Sequence, residues 1–140
     1  MKQLKAYIIP LVITAVLLSS CNLSNIHIGN LKIGEVRLGM AGKNLPGQIS
    51  YSFRSFTGFE SNTARIEKGQ SLYLDYEVQL ESGNLTILVE AADGNLIWER
   101  DFDESDQDQV EIPVEEPGSY AVYIKGNKAR GSFELEWKVK

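Results

Sequence analysis

Few residues in this chain are equipped for chemistry, and their scarcity decides a good deal. Cys21 is the one cysteine and His27 the one histidine among 140 residues. A single thiol excludes an internal disulfide and a thiolate zinc site. A lone imidazole cannot form a histidine metal cluster. A Ser-His-Asp set would have to be built on His27, which reads as an ordinary strand or surface residue. The glycine spacing GxGxxG, a phosphate-cradling GxxxxGK[ST] loop and a GxSxG nucleophile turn are all missing. The aromatic residues divide by position. Trp98 and Trp137 fall on the apolar faces of their segments, a core placement. Tyr73 and Tyr123 fall on the opposite faces, where a ring can stack on a ligand.

Carboxylates are plentiful, so their presence alone says little. Nine lie between Glu99 and Glu116. The run Asp101-Phe102-Asp103-Glu104-Ser105-Asp106 begins with oxygen ligands at alternate positions, as a calcium loop does. It departs at the sixth position, Asp106 in place of glycine, and at the twelfth, Ile112 in place of glutamate. Asp101, Asp103, Asp106 and Asp108 are therefore a candidate weak cation site outside the EF-hand pattern, with a solvated acidic loop as the simpler reading. No resident metal or cofactor is expected, and no enzymatic constellation emerges.

The beginning of the chain is more specific. Met1-Lys2-Gln3-Leu4-Lys5 is basic, and Ala6 to Leu18 is uncharged and mostly apolar. Thirteen residues at a helical rise of 1.5 Å reach about 20 Å, short of a hydrocarbon core of ~30 Å. A basic start, a short apolar run and small residues after it make a secretory signal peptide over residues 1–20. The tetrad Leu18-Ser19-Ser20-Cys21 resembles the lipobox of bacterial lipoproteins. That resemblance implies a diacylglyceryl group on the Cys21 sulfur and cleavage before Cys21. The mature chain would then be held by lipid on the outer face of the cell membrane or in an outer membrane.

After Cys21 the charge is uneven. Residues 22–68 carry six basic side chains against three acidic ones, and residues 69–140 carry six basic against sixteen acidic. The basic part holds three pentads, Ile26-His27-Ile28-Gly29-Asn30, Leu31-Lys32-Ile33-Gly34-Glu35 and Val36-Arg37-Leu38-Gly39-Met40. Each places two apolar residues on one side of an extended chain and a basic one on the other. His27, Lys32, Arg37 and Lys43 are thus candidate contacts to an anionic membrane surface. Strands broken by glycine and packed on the domain are the plainer alternative. Ala41 to Gly47 reads as a connector, which sets residues 21–47 apart as a membrane-proximal segment.

Residues 48–140 alternate with period two. Leu72, Leu74, Tyr76, Val78 and Leu80 share a face; Leu85, Ile87 and Val89 follow; Tyr120, Val122 and Ile124, then Phe133, Leu135, Trp137 and Val139, close the series. Asp93-Gly94 marks a hairpin, and Pro113 places its segment at a sheet edge. Ser82-Gly83-Asn84 and Lys125 to Gly131 read as turns. No helical periodicity occurs after residue 20. The expected fold is all-β, a single antiparallel β-sandwich of jelly-roll-like form.

The strand after Lys68-Gly69, the Asp93-Gly94 hairpin, Pro117-Gly118-Ser119-Tyr120 and Gly131-Ser132-Phe133 together resemble the small sandwich modules of the GOLD and bacterial pre-peptidase C-terminal type over residues 65–140. The resemblance implies a non-catalytic binding or accessory module. The functional expectation is a membrane-anchored extracytoplasmic lipoprotein that binds or supports, with a protein or cell-wall glycan as partner. A carbohydrate-binding module and, more remotely, a carboxylate-dependent hydrolase are the alternatives. The net charge of -5 argues against a nucleic-acid partner.

Overall fold

A computed structural model describes residues 34–140. The signal peptide, Cys21, His27, Lys32 and the first pentad, with most of the second, lie outside the described residues. Seven strands follow in order: β1 (Val36–Leu38), β2 (Ala41–Leu45), β3 (Gln48–Ile66), β4 (Ser71–Ala91), β5 (Leu96–Phe102), β6 (Asp106–Pro113) and β7 (Gly118–Val139). All pairings are antiparallel, with β7 between β3 and β4.

Three strands are about twenty residues long, and they build both layers of the sandwich. The first halves of β3 and β4 and the second half of β7 form one layer, edged by β2 and β6. The remaining halves form the other, edged by β5, with β1 on β3 near the bend. The ladders shift register between Phe53 and Gly58 on β3 and between Leu80 and Asn84 on β4. Each shift breaks the regular ladder, and breaks of the bulge kind bend a strand. Glycine permits the bend where the backbones crowd. Gly131 has a φ of 140°, and a Cβ there would overlap the Gln79 carbonyl oxygen.

The period-two pattern delivers the core. Leu72, Leu74, Tyr76 and Val78 face Leu85, Ile87 and Val89 in one apolar cluster with Phe133, Leu135 and Trp137. Tyr76 of one layer meets Phe102 of the other edge-on, ring centroids 5.2 Å apart. Trp137 is buried, and Trp98 is half-buried against the same cluster.

Four local features differ from the sequence expectation. Ser82-Gly83-Asn84 and Lys125 to Gly131 do not turn the chain; they are the bends within β4 and β7. A bulged bend uses the same glycine and polar residues as a loop, which is why the two look alike in sequence. Ala41–Leu45 is strand β2, so from Val36 onward the segment before residue 48 contributes two short strands, β1 and β2, to the sheet. In the third pentad, Val36 and Leu38 face solvent, and Arg37 turns to the rim of the sandwich.

Candidate functional site

Both rims of the sandwich are closed by polar groups on inward-facing positions. At one, the Arg37 guanidinium pairs with Glu60 and with Glu35 at 3.5 Å, and donates to the Phe59 carbonyl at 3.0 Å. Asn44 of β2 donates to Glu60 and to the Ser61 carbonyl, and accepts from Asn62 at 2.7 Å. At the other rim, Arg100 of β5 pairs with Asp106 and Asp108 of β6 while lying over the rings of Tyr76 and Phe102.

These contacts account for several of the candidate residues. Asp106 and Asp108 bind Arg100, and Asp101 accepts a hydrogen bond from Thr86 at 2.6 Å on the outer face of β5. Asp103 stands exposed. The structure does not bring the four carboxylates together. Among the described residues, no group of three or more His, Cys, Asp or Glu side chains is placed to hold a metal ion. Of the candidate membrane contacts, Arg37 is engaged at the rim and Lys43 is exposed on β2.

The two outward tyrosines have different settings. Tyr123 packs edge-on against Phe59 and lies opposite Leu88, which is buried on the outer face of its layer. That ring helps cover an apolar patch. Tyr73 instead lines a surface depression of about 360 Å³ formed by β4, β6 and β7. Asp75, Gln109, Glu111, Glu136, Lys138 and Lys140 share its lining. The register explains the company. Tyr73 lies opposite Glu111 and Lys138, and Asp75 opposite Gln109 and Glu136. With side chains alternating along each strand, these positions share the outer face.

The depression is internally ordered. The Tyr73 hydroxyl donates to Glu111 at 2.8 Å, and the Lys140 ammonium sits 5.2 Å from the ring centre. The hydrogen bond to Glu111, then burial and the carboxylate charge, hold this phenol above its ordinary value, so it remains a neutral donor. Gln109 donates to Asp75 at 2.6 Å, and Gln48 bridges Glu134 and Glu136 at 2.9 and 2.8 Å. An aromatic ring ringed by carboxylates, amides and ammonium groups can stack on an apolar ring face and hydrogen-bond to hydroxyls around its edge. The amides Gln48 and Gln109 escaped notice in the sequence. Their signal is only that they occupy outward positions of strands, and their neighbours come from distant segments.

No family model matches the sequence, and no curated protein matches it. Several solved structures are similar to it. One is TmCBM61 in complex with beta-1,4-galactotriose, at 12% identity over 72% of this chain and 86% of that one, with a TM-score of 0.48. A second is a carbohydrate binding module of Cellvibrio mixtus lichenase 5A in complex with cellotriose, at 16% identity over 74% and 85%, TM-score 0.42. A third is the glycosylation-associated protein Gap123 complex of Streptococcus agalactiae, at 13% identity over 81% and 43%, TM-score 0.39.

Proposed function

We propose that this chain is a lipid-anchored extracytoplasmic binding module, non-catalytic, that takes carbohydrate on the outer sheet face around Tyr73. The observation that carries the binding site is the depression itself. It sets one aromatic ring on a rigid sheet face among groups suited to hydroxyl recognition. Sites on strands hold their side chains in place, because each is fixed by its neighbours across the ladder. The lipid anchor rests on the tetrad Leu18-Ser19-Ser20-Cys21 following a short apolar run. The ligand is a cell-wall or extracellular glycan, and the module holds it without cleaving it.

Two measurements test this reading. The full-length protein, solubilised in mild detergent, is screened against a panel of soluble polysaccharides by affinity electrophoresis. Retardation by at least one glycan, lost in Tyr73→Ala and with the glycan recovered uncleaved, is expected. No retardation by any panel member, or retardation unchanged in Tyr73→Ala, would overturn the site. Cells expressing Cys21→Ala should release the protein from the membrane fraction or accumulate unprocessed precursor. Wild-type processing and retention of that variant would overturn the anchor.

A further inference from the structure

The Tyr73 depression has two neighbours on the same outer face. A second, of about 250 Å³, is lined by Ser50, Ser52, Glu77, Gln79, Ser132 and Glu134. A third, of about 450 Å³, shares Ser52, Gln79 and Ser132 with the second and ends at Arg54, Glu81 and Arg130. The register shows that they are consecutive. On β4 and β7 the outward pairs run Tyr73–Lys138, Asp75–Glu136, Glu77–Glu134 and Gln79–Ser132. Each pair is the next outward step along the two strands. From Tyr73 to Gln79 this is six residues, about 20 Å at the strand rise. The second depression stays open because Ser50, Ser52 and Ser132 stand where longer side chains would fill it.

We infer that the three depressions form one trough along β4 and β7 that binds a linear, non-anionic, β-1,4-linked glycan several units long, running from Tyr73 toward Arg54 and Arg130. This rests on the carbohydrate reading of the Tyr73 face. From Tyr73 to Gln79 the rows follow one unbroken ladder, before the bend at Leu80–Asn84, and this stretch fits a chain that runs straight. β-1,4-linked pyranoses of gluco or manno configuration, with both linkage oxygens equatorial, extend as a flat ribbon, whereas coiled α-linked chains would leave the floor. The charge of the ligand follows from the middle of the trough. Asp75 lies directly opposite Glu136, and Glu77 directly opposite Glu134. Like charges facing across a ladder destabilise a sheet, and together they repel an anionic chain laid over them. Gln48 donates to Glu134 and Glu136, Gln79 to Glu77 and Gln109 to Asp75, which orients the remaining oxygens for hydroxyl or amino groups.

The test uses the full-length protein in mild detergent and calorimetric titration with β-1,4-linked oligomers of glucose, glucosamine and mannuronate, from disaccharide to hexasaccharide. For glucose and glucosamine, affinity should rise at least tenfold from disaccharide to hexasaccharide. The mannuronate hexasaccharide should bind at least tenfold more weakly than the glucose hexasaccharide at low salt. Ser132→Trp fills the trough where the second and third depressions meet. It should reduce hexasaccharide affinity to that of the disaccharide and leave the disaccharide unaffected. Ser52→Trp repeats the test from the neighbouring strand, and thermal melts identify the variants that fold. Affinity independent of length, with folded Ser132→Trp and Ser52→Trp binding like wild type, would refute the trough while a Tyr73-dependent site stands. Mannuronate binding as tight as glucose would refute the charge assignment. Failure of every oligomer to bind, in a protein that some other polysaccharide still retards through Tyr73, would refute the linear β-1,4 ligand alone.

Discussion

Arg100 on β5 reaches across the open side of the sandwich to Asp106 on β6, with 2.7 Å between Nη2 and Oδ2. The two strands are edges of opposite layers, so this pair fastens the layers where no backbone hydrogen bond joins them. Its guanidinium also covers the Tyr76 and Phe102 rings. Arg100→Ala should therefore lower stability by about 1–2 kcal/mol, mostly through lost stacking and packing, since the ion pair is partly solvated. Urea unfolding measures it. Arg100→Lys should lose part of this, because an ammonium cannot stack as a guanidinium does. A null effect in both variants would show that the fastening contributes nothing.

Gly131 offers the sharpest test of the bends. Its φ of 140° disfavours any side chain, and a Cβ would also meet the Gln79 carbonyl. Gly131→Ala should cost roughly 2–4 kcal/mol, from backbone strain and overlap together. Gly94→Ala is the control. Gly94 has a φ of 86° but open space around it, so only the conformational cost of about 1–2 kcal/mol applies. Equal costs at the two sites would mean the crowding at the bend is relieved by movement of β4.

Alkaline pH should weaken the fold. Burial is the main cause that raises the phenols of Tyr51, Tyr76 and Tyr120 above their ordinary value of 10.0. Above about pH 10 the unfolded chain loses these protons while the native state keeps them. The native state then binds more protons, so the unfolding free energy falls as pH rises. Stability should be level from neutral pH to about 9 and decline above about 10, with the tyrosinate absorbance of three of the six tyrosines appearing only together with loss of structure. Absorbance equal to all six tyrosinates in a fully folded protein would contradict the burial argument.

The Tyr76 hydroxyl is buried and has no hydrogen-bond partner among the described residues. Removing it relieves a desolvation cost. Tyr76→Phe should be neutral or stabilising by about 1 kcal/mol at pH 7 and should soften the alkaline decline. Denaturant titration at pH 7 and pH 10.5, values of about this spacing being set by the ordinary tyrosine range, compares the two. A loss of more than about 1 kcal/mol at neutral pH would mean the hydroxyl is satisfied in solution.

Arg37 and Lys43 should separate by readout. Arg37 binds Glu60, Glu35 and the Phe59 carbonyl, whereas Lys43 is exposed. Arg37→Gln should lower stability by about 1 kcal/mol, and Lys43→Gln should leave it unchanged. In binding to anionic vesicles at low salt, the order should reverse, with Lys43→Gln the more damaging. Greater vesicle loss in Arg37→Gln, at unchanged stability, would return Arg37 to the membrane surface.

The inward and outward parity of almost every strand was legible in the sequence, because one face of each layer is buried and its alternation is strict. Leu72 through Val78 and Phe133 through Trp137 needed no other information. The continuity of β4 and β7 was not legible, since glycine and polar residues serve a bulged bend as they serve a turn. The site was half legible. Tyr73 stood out as an aromatic residue on the wrong face of an apolar stripe. Glu111, Glu136 and Lys138 could not be joined to it, because register between strands so distant in sequence is decided by the whole sheet.

Since β3, β4 and β7 each pass through both layers, no point on the chain divides one layer from the other. The domain cannot be inherited, duplicated or trimmed by halves. A crossover inside any of the long strands would deprive both layers at once, so recombination must move the unit entire. The places free to accept new sequence are strand ends, such as those at Lys68–Gly69, Ala92–Asn95, Asp103–Ser105 and Glu115–Pro117. Diversification of such a protein therefore proceeds by exchange of outward side chains along the strands and by growth of these few loops, with the ladder beneath them kept whole.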